Sequence, residues 1–313
     1  MDTTDLRIVS LIPSATEIVA KLGYGRYLVG RSHECDFPAA VRSLPVCTEP
    51  KFDPVGTSAE IHQRVSELLA SALSVYRVNT AVLADLQPTH IVTQAQCEVC
   101  AVSLSEVEQA VASLVGIAPD QIQVISLQPE RLADIWTDMA RVADALDSST
   151  AGQAAATATI EQLKARIVVA GRENASPVPK VACIEWTEPL MAAGNWVPEL
   201  VNLAGGDDCL GKAGAHSEWM SWQELAAADP DIIVVMSCGY TLAQTRKATM
   251  EMAAKPEWST LKAVRSGRVY VTDGNQYFNR PGPRLVESWE ILTEIIQQLP
   301  PNSDRQSAGW ERF

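Results

Sequence analysis

From Leu6 to Leu127, short apolar runs alternate with segments of helical period. The runs Leu6–Ile12, Tyr27–Arg31, Pro45–Thr48, Thr89–Thr93 and Gln121–Leu127 have the length and composition of strands. Helix starts fall at Ser14, at Thr57, near Asn79 and at Ser103. Ser14, Thr57 and Ser103 each stand three residues before a glutamate (Glu17, Glu60, Glu106). At that spacing a hydroxyl and a carboxylate cap the first turn reciprocally. Gly23 is placed to end the first helix. Strands and helices alternating at this interval predict a parallel sheet covered on both faces. Ligands of such sheets bind at the carboxyl ends of the strands.

A different texture follows. Between Pro129 and about Ala170, apolar residues recur at Leu132, Trp136, Met139, Val142 and Leu146, then at Ile160, Leu163 and Ile167, with Gly152 the only glycine. This is helical spacing, and one continuous helix of roughly 40 residues would span about 60 Å. Asp147-Ser-Ser-Thr-Ala-Gly152 offers the alternative of a break into two helices. Alternation then resumes, with strands expected at Val181–Glu185, Asp231–Met236 and Arg268–Thr272. Helices are expected at Trp196–Ala204, Trp222–Ala227, Thr241–Ala253 and Arg284–Gln298. The organisation expected is an α/β lobe over 1–128, a long connecting helix over 129–172, a second α/β lobe over 173–300, and a flexible polar tail over 301–313.

Composition narrows the function classes. At 313 residues, 47% hydrophobic and 20% charged, the chain can build two ordinary cores. No apolar run approaches the roughly 18 residues of a membrane span. A net charge of −13 argues against a nucleic-acid or anionic-membrane partner and leaves a small molecule, a metal or a basic protein. The seven cysteines are scattered. The strand-loop-helix begins about six residues from Met1, without room for a secretory signal, so the expected location is cytoplasmic, or periplasmic if the true start lies upstream. There is no G-x-S-x-G elbow, phosphate loop, H-E-x-x-H or complete G-x-G-x-x-G, so binding without catalysis is expected.

Several clusters carry candidate chemistry. Trp186, Trp196, Trp219 and Trp222 crowd one stretch of eight tryptophans in all. Trp186 and Trp196 sit beside turn residues and suit stacking on a flat ligand, whereas Trp222 suits core filling. Arg31-Ser-His33-Glu-Cys35-Asp-Phe-Pro38 and Thr93-Gln94-Ala-Gln-Cys97-Glu-Val-Cys100 each follow a strand. If neighbouring strands bring them together, His33, Cys35, Cys97 and Cys100 form a zinc-type ligand set. The alternatives are a redox or disulfide pair, or packed thiols. His216 lies in a glycine-rich loop, Gly211–Trp219, and can meet a metal centre or a ligand amide. Asp273–Arg284 is stiffened by Pro281 and Pro283 and mixes Tyr277, Phe278, Asn279 and Arg280. It is either a ligand contact or a rigid closing turn. Cys238-Gly-Tyr240 follows another strand.

Ser10-Leu-Ile-Pro-Ser-Ala-Thr-Glu17, Gly30-Arg-Ser-His-Glu-Cys-Asp36, Asp231-Ile-Ile-Val-Val, Gly267-Arg-Val-Tyr-Val and the single long connecting helix resemble the substrate-binding proteins of metal, siderophore and cobalamin ABC transporters. The likeness is strongest to the cobalamin-binding branch and covers about residues 6–298. It implies two Rossmann-like lobes with parallel sheets joined by one long α-helix, a ligand clamped between them, and docking to a permease with its ATPase if the protein is exported. On that basis the expected ligand is a cobalamin-like corrinoid or related metallo-tetrapyrrole. Trp186, Trp196, Tyr240, Tyr277 and Phe278 would supply apolar faces. Ser14, Thr16, Gln94, His216, Asn279 and Arg280 would supply polar contacts. A zinc-type metal-binding or sensing protein, or a cytosolic enzyme on a receptor-like fold, are the alternatives.

Overall fold

The structure, a computed structural model, describes residues 6–71, 75–95, 102–114, 121–168, 177–302 and 309–313. Two compact units divide the chain. Unit 1 comprises Met1–Val55, Gln63–Pro129 and Ala133–Leu163, and unit 2 comprises Gly56–His62, Glu130–Leu132 and Lys164–Phe313.

The elements up to the connector are β1 (Ile8–Ser10), α1 (Pro13–Lys21), β2 (Leu28–Arg31), β3 (Thr48–Pro50), α2 (Ser58–Ala70), β4 (Tyr76–Val78), α3 (Thr80–Leu86), β5 (His90–Gln94), α4 (Leu104–Ala112) and β6 (Gln123–Leu127). Strands β2-β1-β5-β6 form a fully parallel sheet, as the alternation predicts. The ribbon β3–β4 is antiparallel. Val9, Leu11, Ile91 and Val107 centre the core of unit 1.

Two of the expected caps form. The Thr57 backbone N–H donates to Glu60 Oε2 at 2.8 Å, the Glu60 N–H returns to Thr57 Oγ1 at 3.3 Å, and Ser103 Oγ accepts the Glu106 N–H at 3.3 Å. The third does not. Helix α1 starts at Pro13, with Ile12 as its cap residue, and Ser14 is buried inside the first turn. Proline has a fixed φ and no N–H, so it fits the first helical position and pushes Ser14 past the cap.

The connector is two helices rather than one, α5 (Leu132–Leu146) and α6 (Thr150–Arg166). Asp147 Oδ1 accepts the Ser149 N–H at 3.0 Å, and Ser149 Oγ accepts the Gly152 N–H at 3.1 Å. These side chains satisfy the backbone groups a continuous helix would have paired. The division between units falls inside α6, after Leu163.

Unit 2 continues with β7 (Lys180–Thr187), β8 (Leu190–Ala192), α7 (Val197–Leu203), β9 (Asp207–Asp208), β10 (Glu218–Trp219), α8 (Trp222–Ala228), β11 (Ile232–Val235), α9 (Leu242–Ala253), α10 (Lys262–Arg265), β12 (Val269–Thr272), α11 (Leu285–Gln297) and β13 (Trp310–Arg312). Its sheet has the order β10-β8-β7-β11-β12-β13, with β9 beside β7. The centre β7-β11-β12 is parallel, but β8, β10 and β13 run antiparallel, so the sheet is mixed rather than parallel throughout. The flexible tail expected over 301–313 is corrected for its last residues. Tyr270, Val271 and Thr272 pair with Arg312, Glu311 and Trp310, and the Trp310 indole N–H donates to Glu294 Oε2 at 2.7 Å. Two aromatic residues in the last four give this segment area to bury: Trp310 packs on Tyr270, and Phe313 on Trp258.

Candidate functional site

Within unit 2 the site begins with one irregularity in β7. Ile184 pairs with Ala192, but Trp186, two residues on, pairs with Met191, so Glu185 is an extra residue in the ladder. Such a bulge reverses the face of every side chain beyond it. Ile184 and Leu190 point into the core with Leu225, Ile233 and Val271. Without the bulge Trp186 would join them. With it, Trp186 shares a face with Met191, and Met191 is in turn paired with Trp219 of β10. Directly opposite residues of antiparallel strands stand side by side. The result is a lateral row, Trp186–Met191–Trp219, across three strands. Trp219 is 54% exposed, and Trp186 and Met191 are half-buried.

Aromatic rings close both ends of the row. Tyr240, in the turn after β11, packs on Trp186 with centroids 5.3 Å apart. His62, in the first part of α2 that belongs to unit 2, meets the Trp219 ring edge-on at 4.9 Å. The Trp186 indole N–H donates to Glu188 O at 3.1 Å, which fixes that ring's tilt. Burial raises the Tyr240 phenol above its ordinary pKa. Sequence reasoning reached Trp186 and Tyr240 but gave no role to Met191 and His62. It counted Trp219 in the cluster without assigning it a contact.

The glycine loop beside this row is pinned at several points. Asp208 Oδ1 accepts the backbone N–H groups of Leu210 at 3.1 Å and Gly211 at 2.7 Å. Ala215 O accepts the Asn195 N–H at 2.6 Å, and Ser217 Oγ donates to the bulged Glu185 at 2.7 Å. Gly194 has no space for a side chain, because a Cβ would stand 2.4 Å from Ala215 O. His216 rides on this loop, exposed, with Nδ1 3.0 Å from Ser217 O.

Burial pushes the Asp208 carboxyl up from 3.8 to about 6, against two backbone N–H bonds that lower it. A carboxyl raised in the folded state stabilises the fold below its unfolded pKa and loses that contribution as pH rises through about 6. Two pH units correspond to about 3 kcal/mol. Relative to Asp208→Asn, the wild type should therefore lose about that much stability between pH 4 and pH 7. Urea unfolding of both proteins across this range would measure it, and parallel pH profiles would disprove it.

The loop after β12 is a rigid turn. Phe278 is fully buried in the left-handed region at φ 68°, its N–H donates to Ser288 Oγ at 2.9 Å, and its carbonyl accepts the Trp196 indole N–H at 2.8 Å. Asn279 Nδ2 donates to Met236 O at 2.9 Å and Gly274 O at 3.0 Å. Arg280 is buried and donates to Asn275 Oδ1 at 2.8 Å, while Tyr277 is buried beneath the Arg284 guanidinium. Of the five aromatic faces expected, Trp196, Tyr277 and Phe278 are thus enclosed in unit 2, and only Trp186 and Tyr240 reach the row. The physical reason is area: large rings next to a tight turn bury themselves unless the strand register turns them out.

Unit 1 holds the remaining candidates. Thr16 Oγ1 donates to Ser10 Oγ at 2.8 Å and lies 3.0 Å from Cys35 Sγ, so Thr16 and Cys35 are internal. Among the described residues Ser14 Oγ and Thr93 Oγ1 are buried without hydrogen-bond partners, and Gln94 is buried at the end of β5. His33 follows β2 and is half-buried, ringed by Thr48 of β3 and Tyr76 of β4. Cys97 and Cys100 lie outside the described residues. Among the described residues no three potential metal ligands gather, and the buried Cys35 thiol turns to Thr16.

Residues 8–276 match the periplasmic binding protein family. The chain belongs to that family. No curated protein matches the chain. Among solved structures, the apo form of the periplasmic heme-binding protein RhuT from Roseiflexus sp. RS-1 is 21% identical, with 94% of this chain and 98% of that one covered at a TM-score of 0.67. A periplasmic heme-binding protein from Pseudomonas aeruginosa is 19% identical, covering 93% and 92% at a TM-score of 0.66. The periplasmic vitamin B12 binding protein BtuF of Vibrio cholerae is 18% identical, covering 94% and 97% at a TM-score of 0.62. At these identities the likeness is one of fold. As a periplasmic binding protein the chain is a ligand-binding protein.

Proposed function

We propose that this periplasmic binding protein captures a metallo-tetrapyrrole, a cobalamin-like corrinoid or a heme, by laying one face of the macrocycle on the Trp186–Met191–Trp219 row. The row carries the reading. Adjacent strands lie about 4.8 Å apart, so the outer two of the three are separated by roughly 10 Å, which suits a porphyrin or corrin ring. Exposed aromatic area of this kind is costly in water and gains by stacking. Similar folds whose names specify heme or vitamin B12 support the same class of ligand. Capture needs no chemistry. The pinned loop and the buried turn hold the platform before the ligand arrives, which lowers the ordering cost of binding.

The test is titration of the purified protein with ferric protoporphyrin IX and with cyanocobalamin, followed by visible absorbance and by heat. At least one should saturate near one equivalent with micromolar or tighter affinity. Flat titrations with both would sink the proposal.

A further inference from the structure

The last five residues of the chain, Gly309-Trp-Glu-Arg-Phe313, are recognised residue by residue within unit 2. They pair antiparallel with β12, with Thr272 opposite Trp310, Val271 opposite Glu311 and Tyr270 opposite Arg312. Two further backbone bonds extend the ladder: the Asp273 N–H donates to Gly309 O, and the Phe313 N–H to Val269 O, each at 2.9 Å. Side chains of a strand alternate between its two faces. On one face the Trp310 ring meets Tyr270 with centroids 5.5 Å apart, and its indole N–H reaches Glu294 Oε2 of α11 at 2.7 Å. Arg312 Nε donates to Gly267 O at 2.6 Å. On the other face Glu311 pairs with Arg246 of α9 at 2.8 Å. Phe313 packs edge-on against Trp258 at 5.9 Å, with the Arg246 guanidinium 5.4 Å from its ring centre. Gly309 completes the fit at φ 72°, where a Cβ would stand 2.7 Å from the Tyr277 ring.

Main-chain pairing along a sheet edge, with a separate contact for each side chain, is how extended peptides are recognised by strand addition. Among the described residues β13 pairs with β12 alone, so lifting it away breaks no other ladder. The covalent tether raises the local concentration of the tail to about millimolar but adds no contact. The contacts reside in the pentapeptide, and every copy of the chain carries it. We propose that the β12 edge is a strand-acceptor site for this C-terminal sequence, filled by the chain's own tail and open to exchange with the tail of a second copy. Exchange of an identical element reuses the contacts of the folded monomer, so its cost is low. This site is independent of tetrapyrrole capture.

Exchange is read by cross-linking two full-length variants, Val271→Cys and Glu311→Cys. Residues directly opposite in an antiparallel pair have the Cα separation a disulfide needs. The double variant, oxidised with glutathione disulfide, should close an intramolecular bond and so report that tail and edge are in place. The two single variants, mixed at about millimolar concentration and oxidised, should give roughly tenfold more disulfide-linked dimer than either alone. A second readout uses the labelled peptide Gly-Trp-Glu-Arg-Phe. It should bind a full-length variant carrying Trp310→Ala and Phe313→Ala roughly tenfold more tightly than the wild type, whose site is filled in cis. Alanine in place of the peptide's tryptophan should abolish that binding. Only monomer from the mixture, with the double variant closed, would overturn the proposal. A flat peptide titration on a variant with wild-type circular dichroism would overturn it as well, and decides alone if the double variant does not fold.

Discussion

Replacing Trp219 by alanine should weaken tetrapyrrole binding roughly 30-fold while leaving thermal stability nearly unchanged. The two halves of this expectation have separate causes. Trp219 is 54% exposed, so its removal costs the folded protein little. In a complex, a tryptophan anchor typically contributes 2 kcal/mol or more, which is the 30-fold factor. Trp186→Ala should lose a similar factor with some loss of stability, because that ring also packs on Tyr240. The double variant should lose roughly 1000-fold if the two ends of the row act independently. Titrations of the three variants with whichever tetrapyrrole the wild type binds would measure this. Wild-type affinity in Trp219→Ala would show that the row is not the platform.

Phe278→Ala should destabilise unit 2 by about 3–5 kcal/mol, the range for emptying a buried phenylalanine site. Phe278 has no exposed surface and sits in the left-handed region. Alanine gains no relief from that conformation and loses the ring that holds the turn in it. The turn also supplies the carbonyl that accepts the Trp196 indole N–H, so the damage should spread toward α7. Calorimetry should show the transition of unit 2 falling by roughly 10 °C. A shift below about 2 °C would mean the ring is not part of the core. The contrast between the two variants is diagnostic, with affinity lost at constant stability for Trp219 and stability lost for Phe278.

Much of unit 1 is legible in the amino-acid sequence. Its strands are β-branched runs bounded by turn residues, and Asn79 and Ser103, like Thr57 of unit 2, cap the helices they were expected to cap. The Ser14 cap failed because Pro13 takes the first helical position. Short strands were the main loss. Leu190–Ala192, Glu218–Trp219 and Trp310–Arg312 are two or three residues long, too short to display a period. Glu218–Trp219 and Trp310–Arg312 pair with strands distant in sequence, whereas Leu190–Ala192 turns back on the strand just before it.

For the candidate site the division follows from the same physics. Local pattern was enough for two α/β units, for helix ends, for the crowding of tryptophans, and for polar residues after the strands, because these depend on neighbours within a few residues. Which tryptophan faces outward was decided by register. One extra residue at Glu185 turns Trp186 away from the core and sets it in line with Met191 and Trp219, while Trp196 and Phe278 close on each other. The orientation of His33 was decided by Thr48, fifteen residues on and in another strand. Side-chain facing and hydrogen-bond partnership are pairwise properties of residues distant in sequence, so only the folded chain can assign them.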